Sequence, residues 1–184
     1  MTAPAPTPPE QILRRVLLVS ALDGWSLVAI AGLGTVLTLI FGDWLGTGIG
    51  LLVLAAGCGE LRGRRRLQRR DPAGMQLLVR AQLFLLSVIL VYCVSRLSSF
   101  DSDTALANLT PEMEAALHEA GLARADILPL VQIAFYATYG TVAVVSLVFQ
   151  GALALYYRSR TARVTAALAA PPTVGMPEPS PRPD

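Results

Sequence analysis

Three consecutive segments decide the fold: WLGTGIGLLVLAAGCGEL (residues 44–61), RGRRRLQRRDPAG (62–74) and MQLLVRAQLFLLSVILVYCVSRL (75–97). The outer two are apolar runs. At ~1.5 Å per helical residue each is long enough to cross most or all of a ~30 Å hydrocarbon layer. The middle one carries Arg62, Arg64, Arg65, Arg66, Arg69 and Arg70. So many guanidinium groups cannot remain in lipid, so the chain leaves the membrane there and turns back at Asp71-Pro72.

Upstream lies another apolar run, residues 16–41, separated from the second by only Gly42-Asp43. The two runs therefore read as a tight antiparallel hairpin. Asp23-Gly24-Trp25 interrupts the first run, and two readings fit. One is a single tilted helix. The other, which is preferred, is an interfacial amphipathic helix over 11–22 followed by a span over 24–41. Ile12, Leu13, Val16 and Leu17 would then form one apolar face beside Arg14 and Arg15. Downstream, the loop 98–125 holds Asp101, Asp103, Glu112, Glu114 and Glu119 against Arg124 alone. Within it Thr110-Pro111-Glu112 has the order of a helix start, and Gly121 that of a stop. The fourth span covers about 127–157, with Arg158, Arg160 and Arg163 after it. Residues 1–10 and 164–184 are Pro-rich and read as disordered tails.

Composition supports the same class. The chain has 184 residues, of which 53% are hydrophobic and 15% charged, and its mean hydropathy is +0.53. The expected fold is all-α, an integral membrane four-helix bundle. Spans are expected at about 24–41, 44–61, 75–97 and 127–157, within one domain over 11–163. With four crossings, every arginine cluster faces one side and the acidic loop the other. Basic flanks stay cytosolic, so both termini are expected inside. The basic residues are all arginine, and Ala, Gly and Pro are abundant. That pattern points to a GC-rich genome and a bacterial inner membrane. Arg14-Arg15-Val16-Leu17-Leu18 also resembles a twin-arginine export signal, but such signals serve soluble cargo and three spans follow.

Ionisable groups within the spans are the candidate functional residues, because each is costly in lipid. Asp23, Glu60, Arg80, Gln82 and Gln150 fall at one depth toward the cytosolic side, as an intramembrane polar cluster. The expectation for it is structural, with Arg80 neutralising Asp23 or Glu60. The rival is that Asp23 titrates or binds a cation in a watery vestibule. An acid in the first helix of a small four-helix protein resembles the small multidrug transporters. This chain is longer, has a large outer loop and is strongly oriented, so no transporter residue is carried across.

Two polar stripes follow helical spacing. On the fourth span they are Gln132, Tyr136, Tyr139, Ala143, Ser146, Gln150 and Tyr157. On the third they are Arg80, Phe84, Ser87, Val91, Ser95 and Ser98. The expectation is that the stripes meet in the bundle core and hydrogen-bond there, with lining of a pore, within one bundle or at an oligomer axis, as the alternative. Arg96 is expected to snorkel outward toward Asp43, Asp101 or Asp103. Glycines at 42, 46, 50, 59 and 63 are expected to allow close helix approach.

Cys58 and Cys93 differ by roughly 20 Å in depth at the helical rise, too far for a disulfide, which excludes thiol-oxidising chemistry within one subunit. His118 is the single histidine and lies in the acidic loop. No metal site, cofactor or catalytic motif is expected, and the chain is read as non-enzymatic. The arginines at 62–70 are expected to contact anionic lipid headgroups rather than nucleic acid. The leading functional reading is a structural, accessory or homo-oligomeric membrane component, associating with itself or with other membrane proteins. The alternative is a small channel or transporter built on the polar cluster.

Overall fold

The computed structural model describes residues 9–102, 110–119, 121 and 124–169. Among these the regular structure is entirely helical: α1 (Pro9–Ile40), α2 (Trp44–Gln68), α3 (Ala73–Ser98), α4 (Pro111–Glu119) and α5 (Arg124–Ala169). Four of them, all but α4, are long and apolar enough to cross a membrane. Asp103, the expected tails 1–8 and 170–184, and most of the loop between α3 and α4 lie outside the described residues.

The ends of the helices follow from local chemistry. Gly42 adopts φ +72°, a left-handed conformation that costs a glycine little and ends α1. Asp43 then caps α2, its Oδ1 accepting from the Gly46 N–H at 2.9 Å. The Thr47 hydroxyl donates to the Asp43 carbonyl oxygen at 2.8 Å and lies 3.2 Å from the Thr38 hydroxyl across the turn. At the other end of α2, Arg70 takes φ 61°. Asp71 Oδ1 accepts from the Ala73 N–H at 2.9 Å and opens α3. α4 begins at Pro111, where the Thr110 hydroxyl accepts from the Met113 N–H at 3.3 Å, as the sequence predicts for that start.

α1 packs on α2, α2 on α3, α3 on α5, and α5 closes back on α1 along the sparsest of the four seams. Close approach relies on glycine at a few points. A side chain at Gly74 would meet the Gly63 carbonyl oxygen, so α2 and α3 cross backbone to backbone there. Gly46 and Gly50 face Thr38 and Thr35 of α1, while Gly59 is in ordinary contact with Ala81.

Three boundary expectations need correction. α1 is one unbroken helix, so residues 11–22 are not a separate interfacial segment. The face carrying Ile12 and Val16 is covered by protein: both pack with Leu67, Met75, Leu78, Tyr157 and Val164 in the hydrophobic core. α2 continues through Arg62–Arg66 to Gln68 rather than ending at residue 61. α5 continues to Ala169, and its Val164 is fully buried, so residues 164–169 belong to the folded unit and not to a tail.

The core has a location as well as a membership. Its large members sit at the end of the molecule that holds the arginines and both ends of the described chain. The opposite half presents Leu33, Ile40, Phe41, Trp44, Leu51, Val91 and Val148 outward. This is the pattern of a chain that buries apolar groups inside itself where it meets water and exposes them where it meets lipid.

Candidate functional site

Just beyond the top of that core, four helices each send one polar side chain inward. Asp23 comes from α1, Glu60 from α2, Gln82 from α3 and Tyr157 from α5. Asp23 sits beside Gly24, where an added Cβ would press on Leu61 and approach Glu60. That close approach brings the two carboxylates within reach of one partner. Gln82 is that partner: its Nε2 donates to Asp23 Oδ2 at 2.5 Å and to Glu60 Oε1 at 2.8 Å. The Tyr157 hydroxyl donates to the same Glu60 oxygen at 3.0 Å. A side chain on a helix leans toward that helix's N-terminus, so the Tyr157 ring rises from the core toward the acids.

Glu60, Gln82 and Tyr157 are at most 1% exposed, whereas Asp23 is only half-buried. The arrangement thus has a closed inner member and an outer member that reaches the protein surface. It is also incompletely satisfied. Glu60 Oε2 and Gln82 Oε1 are buried and accept no hydrogen bond. Two turns above Tyr157 on α5, the buried Gln150 also has an unpartnered Oε1. These three atoms are acceptors, while the Nε of Arg64, one turn from Glu60 on α2, is a buried donor that also lacks a partner. Buried acceptors without donors are costly, and the group that satisfies them is a proton, a water or a cation.

Arg80 does not supply that positive charge. It is exposed on the outer side of α3 and forms no ion pair with Asp23 or Glu60. The expected neutralisation is therefore wrong, and the reason is angular. Arg80 and Gln82 share a depth, but two residues on a helix are rotated by roughly 200°, so when Gln82 faces inward Arg80 cannot. The same angle overturns the expectation that the α3 stripe meets the bundle core. Arg80, Phe84, Ser87, Val91, Ser95 and Ser98 are all exposed. The inward face is Leu78, Ala81, Gln82, Leu85, Val88 and Cys93. Ser87 donates to its own helix at Leu83 O, 2.9 Å away, which lets a hydroxyl face lipid without an unmet donor.

The α5 stripe divides. Gln150 and Tyr157 are buried, Tyr139 and Ser146 half-buried, and Gln132 and Tyr136 exposed. Tyr139 and Tyr136 belong to an aromatic group at the far end: Tyr139 meets Tyr92 edge-on at 5.9 Å and Phe135 at 4.7 Å, and Tyr136 meets Phe100 at 5.8 Å. Arg96 lies over the Tyr92 ring at 5.4 Å and donates to its hydroxyl at 3.3 Å. Among the described residues Arg96 forms no ion pair, although Asp43, one of the aspartates expected to attract it, is near enough to act on its charge. Arg62, Arg65, Arg66, Arg69 and Arg70 are exposed around the α2–α3 turn, Arg64 is half-buried, and Arg66 pairs with Asp71 at 3.9 Å.

Of the expected cluster, the structure joins Asp23, Glu60 and Gln82, excludes Arg80, and leaves Gln150 buried nearby on the α5 face. Tyr157 was legible only as the last member of a stripe, and its bond to Glu60 needs the tertiary fold to be seen. No set of three or more His, Cys, Asp or Glu side chains converges among the described residues. The donors present, two carboxylates with a carboxamide oxygen, suit a proton or a small monovalent cation better than a transition metal. Cys58 is exposed and Cys93 buried, and both are free. No family model, curated protein or solved structure matches the chain, so the chemistry of these four side chains must be read from the site itself.

Proposed function

We propose that the protein is a non-enzymatic, multi-pass inner-membrane protein of the small channel or transporter class, which takes up a proton or monovalent cation at the Asp23–Glu60 pair. The observation that carries this reading is a fully buried carboxylate, Glu60, amide-bridged to a second carboxylate, with a free oxygen and no ion pair to an arginine among the described residues. Two negative charges so placed in a low-dielectric interior repel strongly unless a positive charge joins them. The half-buried Asp23 offers that charge a way in. The four spans form a bundle with both termini cytosolic, and the acidic pair then lies in the inner-leaflet half. From Trp44 to Glu60 the helical rise is ~24 Å of a ~30 Å apolar core. The exposed arginines at 62–70 contact anionic headgroups on that side.

Purified protein in liposomes tests the reading. A pH-sensitive or sodium-sensitive dye inside should report flux under an imposed gradient. Glu60→Gln should abolish it, Asp23→Asn should reduce it, and Arg80→Gln should leave it unchanged. A folded, inserted preparation that carries neither ion sinks the proposal.

One observation favours a structural, self-associating role as a second reading. Around Gly140, α5 presents a shallow outward depression lined by Tyr136, Ala137, Thr141, Val144 and Val145. Small residues flanked by branched ones suit a helix from another subunit. Ala137→Cys in a chain lacking Cys58 and Cys93 should form a disulfide-linked dimer in membranes if that face pairs with its own copy. A chain that stays monomeric under oxidation argues against it.

A further inference from the structure

The seam between α1 and α5 opens outward at the arginine-rich end into a groove of about 620 Å³. From α1 it is lined by Arg14, Arg15, Leu18 and Val19, and from α5 by Phe149, Ala152, Leu153 and Tyr156. Helical spacing orders these residues. Leu18 stands one turn above Arg14, and Val19 one turn above Arg15. On α5 the lining residues recur at one-turn intervals along a single face, and the small Ala152 leaves the hollow between its larger neighbours. The two helices run in opposite directions, so Tyr156 lies level with the arginines and Phe149 with the apolar upper part. The groove is therefore polar at its lower mouth and apolar above.

The charge at the mouth is of one sign. No acidic residue lines the groove, and neither Arg14 nor Arg15 is paired with a carboxylate among the described residues. Arg160 adds a third guanidinium one turn below Tyr156, over whose ring it sits at 5.8 Å. Leu18 and Phe149 remain 57% and 56% exposed, so the apolar part is open to whatever surrounds the helices. A continuous α1 gives the groove its place. From Phe41 down the helix, ~30 Å of hydrocarbon ends near Ser20, which puts Arg14 and Arg15 at headgroup level and Leu18 and Phe149 at the edge of the acyl chains.

We infer that this groove is a binding site for one anionic phospholipid, with its phosphate held by Arg14 and Arg15 and the upper part of one acyl chain lying along Leu18, Val19, Phe149 and Leu153. A net anion at the mouth with hydrocarbon above it is the chemistry of that molecule: a free phosphate lacks the chain, and a zwitterionic headgroup would bring its own cation toward the guanidinium groups. The site is distinct from the neighbouring hollow that Arg70 lines with Glu10, Leu13, Leu17 and Leu168, where a carboxylate accompanies the guanidinium. It does not depend on ion flux through the acidic pair.

The full-length protein in a mild detergent, titrated with phosphatidylglycerol or phosphatidylcholine and followed by native mass spectrometry, tests the inference. One phosphatidylglycerol should bind roughly tenfold or more tightly than phosphatidylcholine. The Arg14→Gln/Arg15→Gln variant should lose that preference, and Arg69→Gln/Arg70→Gln should keep it. Ala152→Trp, which fills the hollow from an exposed position, should reduce binding of phosphatidylglycerol with the arginines intact. Equal binding of the two lipids by the unaltered protein overturns the inference. So does a preference that survives Arg14→Gln/Arg15→Gln, or binding unchanged by Ala152→Trp. Displacement by glycerol phosphate at the same concentration would show a site for the free anion and overturn it as well.

Discussion

Gln82 is the side chain on which the acidic pair depends, because among the described residues its amide is the one donor that Asp23 and Glu60 share. Gln82→Leu keeps the volume and removes both bonds. The expected cost is about 1–3 kcal/mol, between the modest value of most intramembrane hydrogen bonds and the larger one of bonds to carboxylates. Tyr157→Phe removes one bond to an oxygen that Gln82 still serves, and should cost less, about 1 kcal/mol. Arg80→Gln touches nothing in the interior and should leave stability unchanged. Thermal unfolding in detergent reads all three, at about 2–4 °C per kcal/mol for a chain of this size. A Gln82→Leu protein as stable as the unaltered one would mean that the bridge contributes nothing to the fold. The same residues show how far sequence reaches. Depth could be counted from the ends of the apolar runs, which placed Asp23, Glu60 and Gln82 together. Azimuth could not be counted, because Arg80 and Gln82 are equally unwelcome in lipid and only packing against α2 decides which one turns inward.

Within the helices, one residue type serves opposite ends according to what it faces. Gly74 and Gly48 are both helical. A methyl group at Gly74 would meet the Gly63 carbonyl oxygen and Leu67, whereas one at Gly48 would meet nothing within 4 Å. Gly74→Ala must push α2 and α3 apart against backbone, which does not yield as a flexible side chain does, and should destabilise by about 1–3 kcal/mol. Gly48→Ala should be neutral or stabilising by up to ~1 kcal/mol, since it only raises helix propensity. Paired melting curves decide it, and a Gly74→Ala protein as stable as Gly48→Ala would remove the backbone crossing from the account. The existence of the long helices was plain from hydropathy, and so was the tight Gly42-Asp43 turn. Their lengths were not. Arg62 to Arg66 read as the end of a span, yet helix formation needs only good helix formers and a place for charges to go, and Gly63 and Leu67 on the opposite face are buried. The amphipathic face at residues 11–22 was read correctly as apolar, but the surface covering it is α2, α3 and α5, not a headgroup layer.

For the molecule as a whole, the distribution of burial says more than its amount. Of the apolar side chains at most 1% exposed among the described residues, Val16, Leu67, Met75, Leu78, Tyr157 and Val164 lie at one end, and Leu85 and Cys93 lie farther along α3. The spans' apolar windows elsewhere bury little, and that of α5 buries none of its residues. The hydrophobic effect drives burial only against water, so the well-packed end is the one that projects into an aqueous compartment. That end also carries Arg14, Arg15, the arginines of α2, and Arg158, Arg160 and Arg163, which the proposed orientation puts in the cytosol. Two unrelated forces, apolar packing and the sidedness of positive charge, therefore mark the same end, and a labelling experiment can separate them from coincidence. In a Cys58→Ala/Cys93→Ala background, a cysteine at the exposed Gln68 tests the packed end, and one at the exposed Ser98 tests the other. A membrane-impermeant maleimide added to intact cells should label the residue 98 cysteine and spare the residue 68 cysteine, and inside-out vesicles should reverse the pattern. Labelling of both from one side would break the four-crossing arrangement. Labelling of residue 68 alone from outside would keep the fold but invert it, moving the acidic pair and the lipid groove to the outer leaflet.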